Sequence, residues 1–328
     1  MLCDEIISDG VPGSGCNIDC LLPAIRAAQK FSLSPDCAAV ADELSNDYSG
    51  LVRAFEHCRL PFAQTWIELS HADRPQFYSS EMHAPGFQVK PKRVGYLLTA
   101  TRADLSAWKT HLFWSTDEGC SCAASLAMEF DMTSVCSNDE VLLAEEFKQV
   151  IRNSNVLHGM GRNHPGWVHA NKDVRLAIMR HTNPVEPDYG PPLPDSVPLD
   201  RIREFYEIVS ELSCADWAGE PAYLLAVIGL LNARNAIETQ TVDKTEFNRK
   251  RAKRGRLPLF SHKILRIAMR QQHRVYGADG HQGDYTPMRG HFVRGHFKTR
   301  RTGIFFWHPH ARGSFKRGTV TKDYEVTA

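Results

Sequence analysis

The chain has 328 residues, of which 42% are hydrophobic and 23% charged, an ordinary composition for a globular protein of one large or two medium domains. No apolar run approaches the roughly 18 residues that a membrane span requires, so no membrane partner is expected. The formal net charge of +1 hides an asymmetry. Residues 241–328 contain 20 Lys and Arg against 6 Asp and Glu, a net charge of +14, whereas residues 1–240 contain 19 against 32, a net charge of −13. This split favours a polyanionic partner for the basic part, or docking of the two parts on each other.

The nine cysteines all lie before residue 215, at irregular spacing. The chain begins without the basic segment and apolar core of a signal peptide. Both features predict a cytoplasmic protein with reduced thiols. Cys16 with Cys20, and Cys120 with Cys122, do not show the two well-spaced ligand pairs of a structural zinc site. No metal and no cofactor are therefore expected.

The predicted elements start after a loose segment over residues 1–19 that is rich in Gly, Ser and Asp. Apolar residues at helical spacing predict a helix around Leu21 to Ala28, and a second helix that Asp36 caps. Four strand candidates follow with no helical pattern between them, which favours an antiparallel meander over residues 63–132. The candidates are Thr65–Leu69, Val94–Thr99, His111–Ser115 and Ala123–Met132.

The second half of the chain is predicted to be divided by a stiff linker. Ser137 and Glu140 fit a capping box that opens a further helix. Six prolines between 183 and 198 predict an extended linker over 183–199, and two helices are expected after it, one from near Asp200 and one over Glu220–Asn235. The expected fold class is α+β, with helices packed on an antiparallel sheet and a basic C-terminal β-rich region. The expected domains are an α+β domain at 1–182, the linker, and at 200–328 a helical block followed by a basic β-hairpin region.

Two stretches carry most of the positive charge. The first, here called the basic segment, runs from Asn248 to Pro258. It is interpreted as a phosphate-contacting segment, and the alternative is a solvated loop between a helix and a strand. Its candidate nucleic-acid contacts are Arg249, Lys250, Arg251, Lys253, Arg254 and Arg256.

The second stretch, Arg289 to Gly313, is predicted to form two short strands around a tight turn at Arg301-Thr302-Gly303. Side-chain alternation would place Phe292, Arg294, His296, Lys298 and Arg300 on one face of the first strand. In the second strand, Ile304, Phe306, His308 and His310 would share a face, opposite Phe305 and Trp307, and Pro309 would mark an end or an edge. Cations interleaved with aromatic rings suit a single strand or loop of nucleic acid. The alternative is a solvated edge hairpin whose charges deter edge pairing. The candidate contacts are Arg294, His296, Lys298, Arg300, Arg301 and Trp307.

The same stretches carry a resemblance. Asn232 to Asn235, the run NRKRAKRGRLPL, a strand, the motifs RGHF and WHPHARG, and a final KDYEV resemble the ending of uncharacterised proteins encoded by bacteriophages and prophages of Proteobacteria. The resemblance covers the chain from Asn232 onward. It implies a viral or mobile-element setting in a bacterial host cell, and it implies no catalytic residues.

Three functions fit these observations. The first is binding of RNA or single-stranded DNA. The second is a metal-independent nuclease, with His296, His308, His310 and Arg312 as candidate catalytic residues, because imidazoles can act as general acid and base while cations stabilise the transition state. The third is a host-protein-binding inhibitor or adaptor. The sequence contains no phosphate-binding loop, nucleophile elbow or zinc-protease motif.

Overall fold

The structure is a computed structural model, and it describes residues 1–14, 16–46, 51, 53–74, 91–133, 182–185, 188–189, 217, 220–268, 289–312 and 314–319. The α-helices in these ranges are α1 (Leu2–Asp9), α2 (Leu22–Ala27), α3 (Pro35–Asn46), α4 (Glu220–Asn232) and α5 (Thr245–Ala252). Three short 3-10 helices cover Asp19–Leu21, Phe55–His57 and His71–Asp73. Of the helices in the described ranges, none combines the length and apolar character needed to cross a bilayer.

Eight of the described strands form one mixed sheet, so the fold is of the mixed α/β type. The strands are β1 (Gln29–Leu33), β2 (Gln64–Ser70), β3 (Pro91–Ala100), β4 (Ala107–Thr116), β5 (Ser121–Asp131), β6 (Thr182–Val185), β7 (Ile237–Val242) and β8 (His262–Ile267). Their order is β6-β5-β4-β3-β2-β1-β8-β7. β1 is parallel to both of its neighbours, β2 and β8, and the other neighbours pair in antiparallel fashion.

Five further strands lie outside this sheet. They are β9 (Arg289–Val293), β10 (His296–Arg300), β11 (Gly303–Trp307), β12 (His310–Arg312) and β13 (Ser314–Thr319). β10 and β11 form an antiparallel hairpin, while β9 lies between β12 and β13 in a small separate sheet. The described part of the C-terminal region is therefore rich in strands.

The antiparallel meander predicted over 63–132 is confirmed, since β2, β3, β4 and β5 each pair with the next strand along the chain. The prediction of a purely antiparallel sheet is wrong. α3 connects β1 to β2 as a crossover, and a crossover is what allows two consecutive strands to lie parallel. β1 has only five residues and lies between two helical patterns, so its own sequence gave no strand signal.

Helices cover both faces of the sheet. Because successive side chains of a strand point to opposite faces, Trp66 and Leu97 pack with α1 and α2, whereas their neighbours Ile67 and Leu98 pack with α3 and α4. α4 is apolar around its whole circumference and almost entirely buried, as predicted for a core helix. Three layers result, with a separate core on each side of the sheet.

The N-terminus is ordered, so the expectation of a loose segment over 1–19 is wrong for most of its length. Leu2 and Ile6 of α1 are fully buried against the sheet. Glu68, which is also buried, accepts hydrogen bonds from Trp66 Nε1 at 3.0 Å and from Arg93 at 2.7 Å. α1 was missed because two turns of helix give too short a pattern, and its burial depends on residues of the sheet.

Most of the predicted linker over 183–199 lies outside the described residues. Its first residues belong to β6, which pairs with β5, and the strands before and after it along the chain, β5 and β7, lie in the same sheet. The division into domains stays a prediction, as 190–199 lie outside the described residues. The helices predicted to start at Ser137 and near Asp200 also fall outside them.

Candidate nucleic-acid interface

The β10–β11 hairpin has two chemically different faces. His296 pairs with Trp307, Lys298 with Phe305 and Arg300 with Gly303, and residues paired directly across a hairpin share a face. The outer face therefore consists of His296, Lys298, Arg300, Phe305 and Trp307. The inner face consists of Phe297, Thr299, Ile304 and Phe306.

The tight turn predicted between the two strands is confirmed. Arg301 and Thr302 form it, and both are exposed. Gly303 has a φ of 124°, a region that favours glycine, so the sequence identified this position correctly. Arg301 thus stands at the exposed tip of the hairpin, next to Arg300 of the outer face.

The inner face is part of the protein core. Phe297, Ile304 and Phe306 are each at most 4% exposed, and they belong to the same hydrophobic cluster as α4. Gly229 of α4 makes this contact possible, because a β-carbon at that position would lie only 2.8 Å from the ring of Phe297. The hairpin is therefore fixed to the helix through close packing.

Residues just after α4 hold the backbone of β11. The side-chain amide of Asn235 donates to Phe306 O at 2.8 Å and accepts from Phe306 N at 3.0 Å. The backbone N–H of Arg234 donates to Ile304 O at 3.3 Å. Asn235 thus satisfies both polar backbone groups of a residue whose ring is buried.

Replacement of Asn235 by alanine is expected to lower the free energy of unfolding by about 1–3 kcal/mol, because the N–H and C=O of Phe306 lose their partners. Asn235→Asp keeps the bond from Phe306 N but places a carboxylate oxygen against Phe306 O, so it should not restore the wild-type stability. Urea denaturation of both variants measures the difference. Equal stability of Asn235→Ala and the wild type would contradict this account of how the hairpin is held.

The outer face presents cations and aromatic rings side by side. Lys298 Nζ lies 4.4 Å from the centre of the Trp307 ring, and the guanidinium of Arg300 lies 5.7 Å from that of Phe305. The ring of His296 lies 5.9 Å from Trp307. Trp307 is 41% exposed, and Lys298 and Arg300 are also exposed. Cation–π contacts of this kind hold the charges beside the rings. The Trp307 ring stays open to solvent, and the Phe305 ring is half-buried.

The first half of the basic segment is helical, since α5 continues to Ala252, and the second half is a turn and an irregular stretch between α5 and β8. The choice between a phosphate-contacting segment and a solvated loop stays a prediction. Arg249, Lys250 and Arg251 lie in α5, Lys253 and Arg254 in the turn, and Arg256 after it. Asn248 fixes the returning chain, exchanging two hydrogen bonds of 2.8 Å with the backbone of Leu259. All six cations except the half-buried Arg251 are exposed.

The two basic stretches are anchored on different sides of the sheet. The chain that follows α5 contacts the α1 side, where Phe260 N donates to Asp4 Oδ1 at 2.8 Å and Phe260 packs against that core. The hairpin packs on α4, on the opposite face of the sheet. The two stretches are close along the chain, but they pack on opposite faces of the sheet.

The predicted strand over 292–300 is interrupted at Arg294 and Gly295, so the prediction of one continuous face is wrong. A β-carbon on Gly295 would lie 2.8 Å from the ring of Phe306, which shows how closely the chain passes the inner face here. Arg294 is exposed between β9 and β10. The second strand ends at Trp307, before Pro309 as the sequence indicated, rather than continuing to His310.

The candidate catalytic histidines lie in different surroundings. His296 is beside Trp307 on the outer face, whereas the ring of His308 lies 4.8 Å from that of Phe306, an inner-face residue. His310 opens β12 and pairs with Val293. The backbone of Arg312 belongs to β12, and its side chain is outside the described part. The structure does not bring His296 and His308 to one face, and the nuclease hypothesis stays a prediction.

A second group of ionisable residues is enclosed in the interior. Arg74 Nη1 forms an ion pair of 2.6 Å with Glu220 Oε1, and the Tyr96 hydroxyl donates to the other oxygen of Glu220. The guanidinium of Arg74 also lies 3.8 Å from Asp42 and stacks on the Tyr223 ring at 3.9 Å. Burial, together with the Glu220 carboxylate, raises the pKa of Tyr96 well above its usual value. Arg74 is only 1% exposed, so this ion pair links the chain after the 3-10 helix His71–Asp73 to α4 inside the core.

No group of three or more His, Cys, Asp or Glu side chains among the described residues is arranged to hold a metal ion. No family model, no curated protein and no solved structure matches the chain. The chemistry of the outer face is the pairing of the exposed cations Lys298 and Arg300 with the exposed ring of Trp307 and the half-buried ring of Phe305.

Proposed function

We propose that this protein binds single-stranded nucleic acid, RNA or DNA, through the outer face of the β10–β11 hairpin. The proposal rests on one observation: Lys298 and Arg300 stand beside Trp307 and Phe305 on an exposed, well-anchored surface. Cations attract the phosphates of a strand, and flat rings stack on its bases. If the hairpin served only to prevent edge-to-edge pairing with another chain, its charges would be explained but its exposed tryptophan would not.

A single strand suits this face better than a duplex, because the bases of a duplex already stack on one another and present only their edges. The cations of the basic segment, and Arg294 and Arg301 beside the hairpin, would supply further phosphate contacts. We propose that this activity belongs to the cytoplasm of a bacterial host cell that carries phage or prophage genes. The resemblance of the chain from Asn232 onward supports this setting.

The double replacement Lys298→Ala and Arg300→Ala is expected to flatten the salt dependence of oligonucleotide binding. Each phosphate contact on a single strand contributes a log–log slope of roughly −0.7, so loss of two contacts should change the slope by about 1.4. Fluorescence anisotropy with labelled oligo(U) or oligo(dT) at several salt concentrations measures it. The fold should persist, because exposed charges contribute little to stability.

A matched control removes two exposed cations far from the hairpin, Arg26→Ala and Lys92→Ala. This variant should keep the wild-type slope. Equal slopes for all three proteins would contradict the proposal. If the wild type also binds no oligonucleotide at low salt but retains a stoichiometric protein from a bacterial lysate, the host-protein-binding function replaces it.

A further inference from the structure

Two cysteine thiols converge at the start of β5, away from the hairpin. Cys122 lies in β5, and Cys120 directly precedes the strand. Neither is in a disulfide. A β-carbon on Gly13 would lie 2.4 Å from Cys122 Sγ and 3.3 Å from Cys120 Sγ. Both sulfur atoms therefore face the same point of the N-terminal loop.

The N-terminal loop is bonded to the strand between and beside these cysteines. Gly13 N donates to Ser121 O at 2.9 Å, and Ala123 N donates to the Ser14 hydroxyl at 3.2 Å. A β-carbon at position 13 would force the Cys122 thiol to move, because a real β-carbon does not approach a sulfur atom as closely as 2.4 Å. The loop thus lies directly over the two thiols.

The pair differs from the single cysteines of the core. Burial raises the pKa of Cys37 and of Cys58 to about 12, and neither is at the surface. Cys120 is half-buried and Cys122 is 8% exposed, so a reagent can approach the pair from the side of Cys120. The partial exposure of Cys120 thus distinguishes this pair from the single cysteines of the core.

We propose that Cys120 and Cys122 form a dithiol site for a thiophilic ligand that bonds two sulfur atoms at once, and that a trivalent arsenical is such a ligand. With an organoarsenic(III) oxide, two S–As bonds replace the bonds between arsenic and oxygen. The two thiol protons leave with the oxygen as one water molecule, and nothing is oxidised or reduced. Zinc would need four ligands, and the described residues supply no such group here.

The adduct occupies space that Gly13 now borders. Arsenic bound to both sulfurs therefore displaces the loop and breaks the bond from Ala123 N to the Ser14 hydroxyl. The site consequently couples capture of the ligand to release of the N-terminal loop from β5.

Intact-mass spectrometry with phenylarsine oxide, in the presence of excess monothiol, tests this inference. The monothiol removes arsenic held by a single sulfur, so the wild type should retain one equivalent, while Cys120→Ser and Cys122→Ser should each lose it. Cys16→Ser, Cys136→Ser and Cys214→Ser serve as controls and should keep it. Retention in both pair variants, or loss in any control, would overturn the assignment.

Two measurements on the wild type do not depend on how the variants fold. Peptide mapping of the adduct should place the arsenic on the fragment that contains Cys120 and Cys122. Hydrogen exchange at the Ala123 amide should become faster once the arsenical is bound. Arsenic on another fragment, or unchanged exchange at Ala123, would contradict the site or its coupling to the loop, respectively.

Discussion

Replacement of Trp307 by alanine is expected to weaken the binding of a single-stranded oligonucleotide by about 1–3 kcal/mol, or roughly 5- to 150-fold in Kd. Trp307 is 41% exposed, and Lys298 and His296 lie beside its ring, where they would contact the phosphate groups of a nucleotide whose base stacks on it. Truncation removes the stacking surface and leaves Lys298 and His296 in place. Equilibrium titration at fixed salt, with the Lys298→Ala and Arg300→Ala variant in parallel, measures the loss.

Two other variants separate stacking from packing. Trp307→Phe keeps a flat ring and should retain most of the affinity. Phe306→Ala removes a side chain that is 1% exposed and should lower the free energy of unfolding by about 3–5 kcal/mol. If Trp307→Ala behaves like Phe306→Ala in stability, and its affinity per folded molecule is unchanged, the ring is a packing residue and does not bind bases.

The sequence predicted the outer face well over its second strand because the evidence there is local. Ile304 and Phe306 alternate with Phe305 and Trp307, and Gly303 marks the turn, so two-residue periodicity and one glycine suffice. It failed at Gly295, where the interruption follows from the proximity of the Phe306 ring. No residue close to Gly295 in the sequence reports that contact.

The elements that hold the site in place could not be predicted for the same reason. In the sequence, Asn235 is a polar residue after a helix with no further signal. It holds the backbone of Phe306, which lies 71 positions further along the chain. α4 was correctly predicted to be buried, but its apolar sequence does not say that the hairpin covers it. The meander was predictable since consecutive strands pair, whereas β1 and β8 pair across more than 230 residues.

Replacement of Glu220 by glutamine is expected to lower the free energy of unfolding by about 3–5 kcal/mol, the usual cost of removing one partner of a buried ion pair. Glu220 is 4% exposed and carries the 2.6 Å ion pair with Arg74. A neutral amide removes the carboxylate that lies 2.6 Å from the guanidinium, and it places a donor group near two other donors, Arg74 and the Tyr96 hydroxyl. Urea denaturation measures the loss.

The same chemical change at the exposed Glu118 is the matched control, and it should alter stability by less than about 0.5 kcal/mol. Arg74→Met then tests whether the two charges act as a pair. If they do, the double variant Arg74→Met and Glu220→Gln should lose clearly less free energy of unfolding than the two single variants together. The reason is that the second change removes a charge that has already lost its partner. Strictly additive losses would mean that the two charges do not act as a pair, and that the link from the 3-10 helix His71–Asp73 to α4 depends on packing rather than on the ion pair.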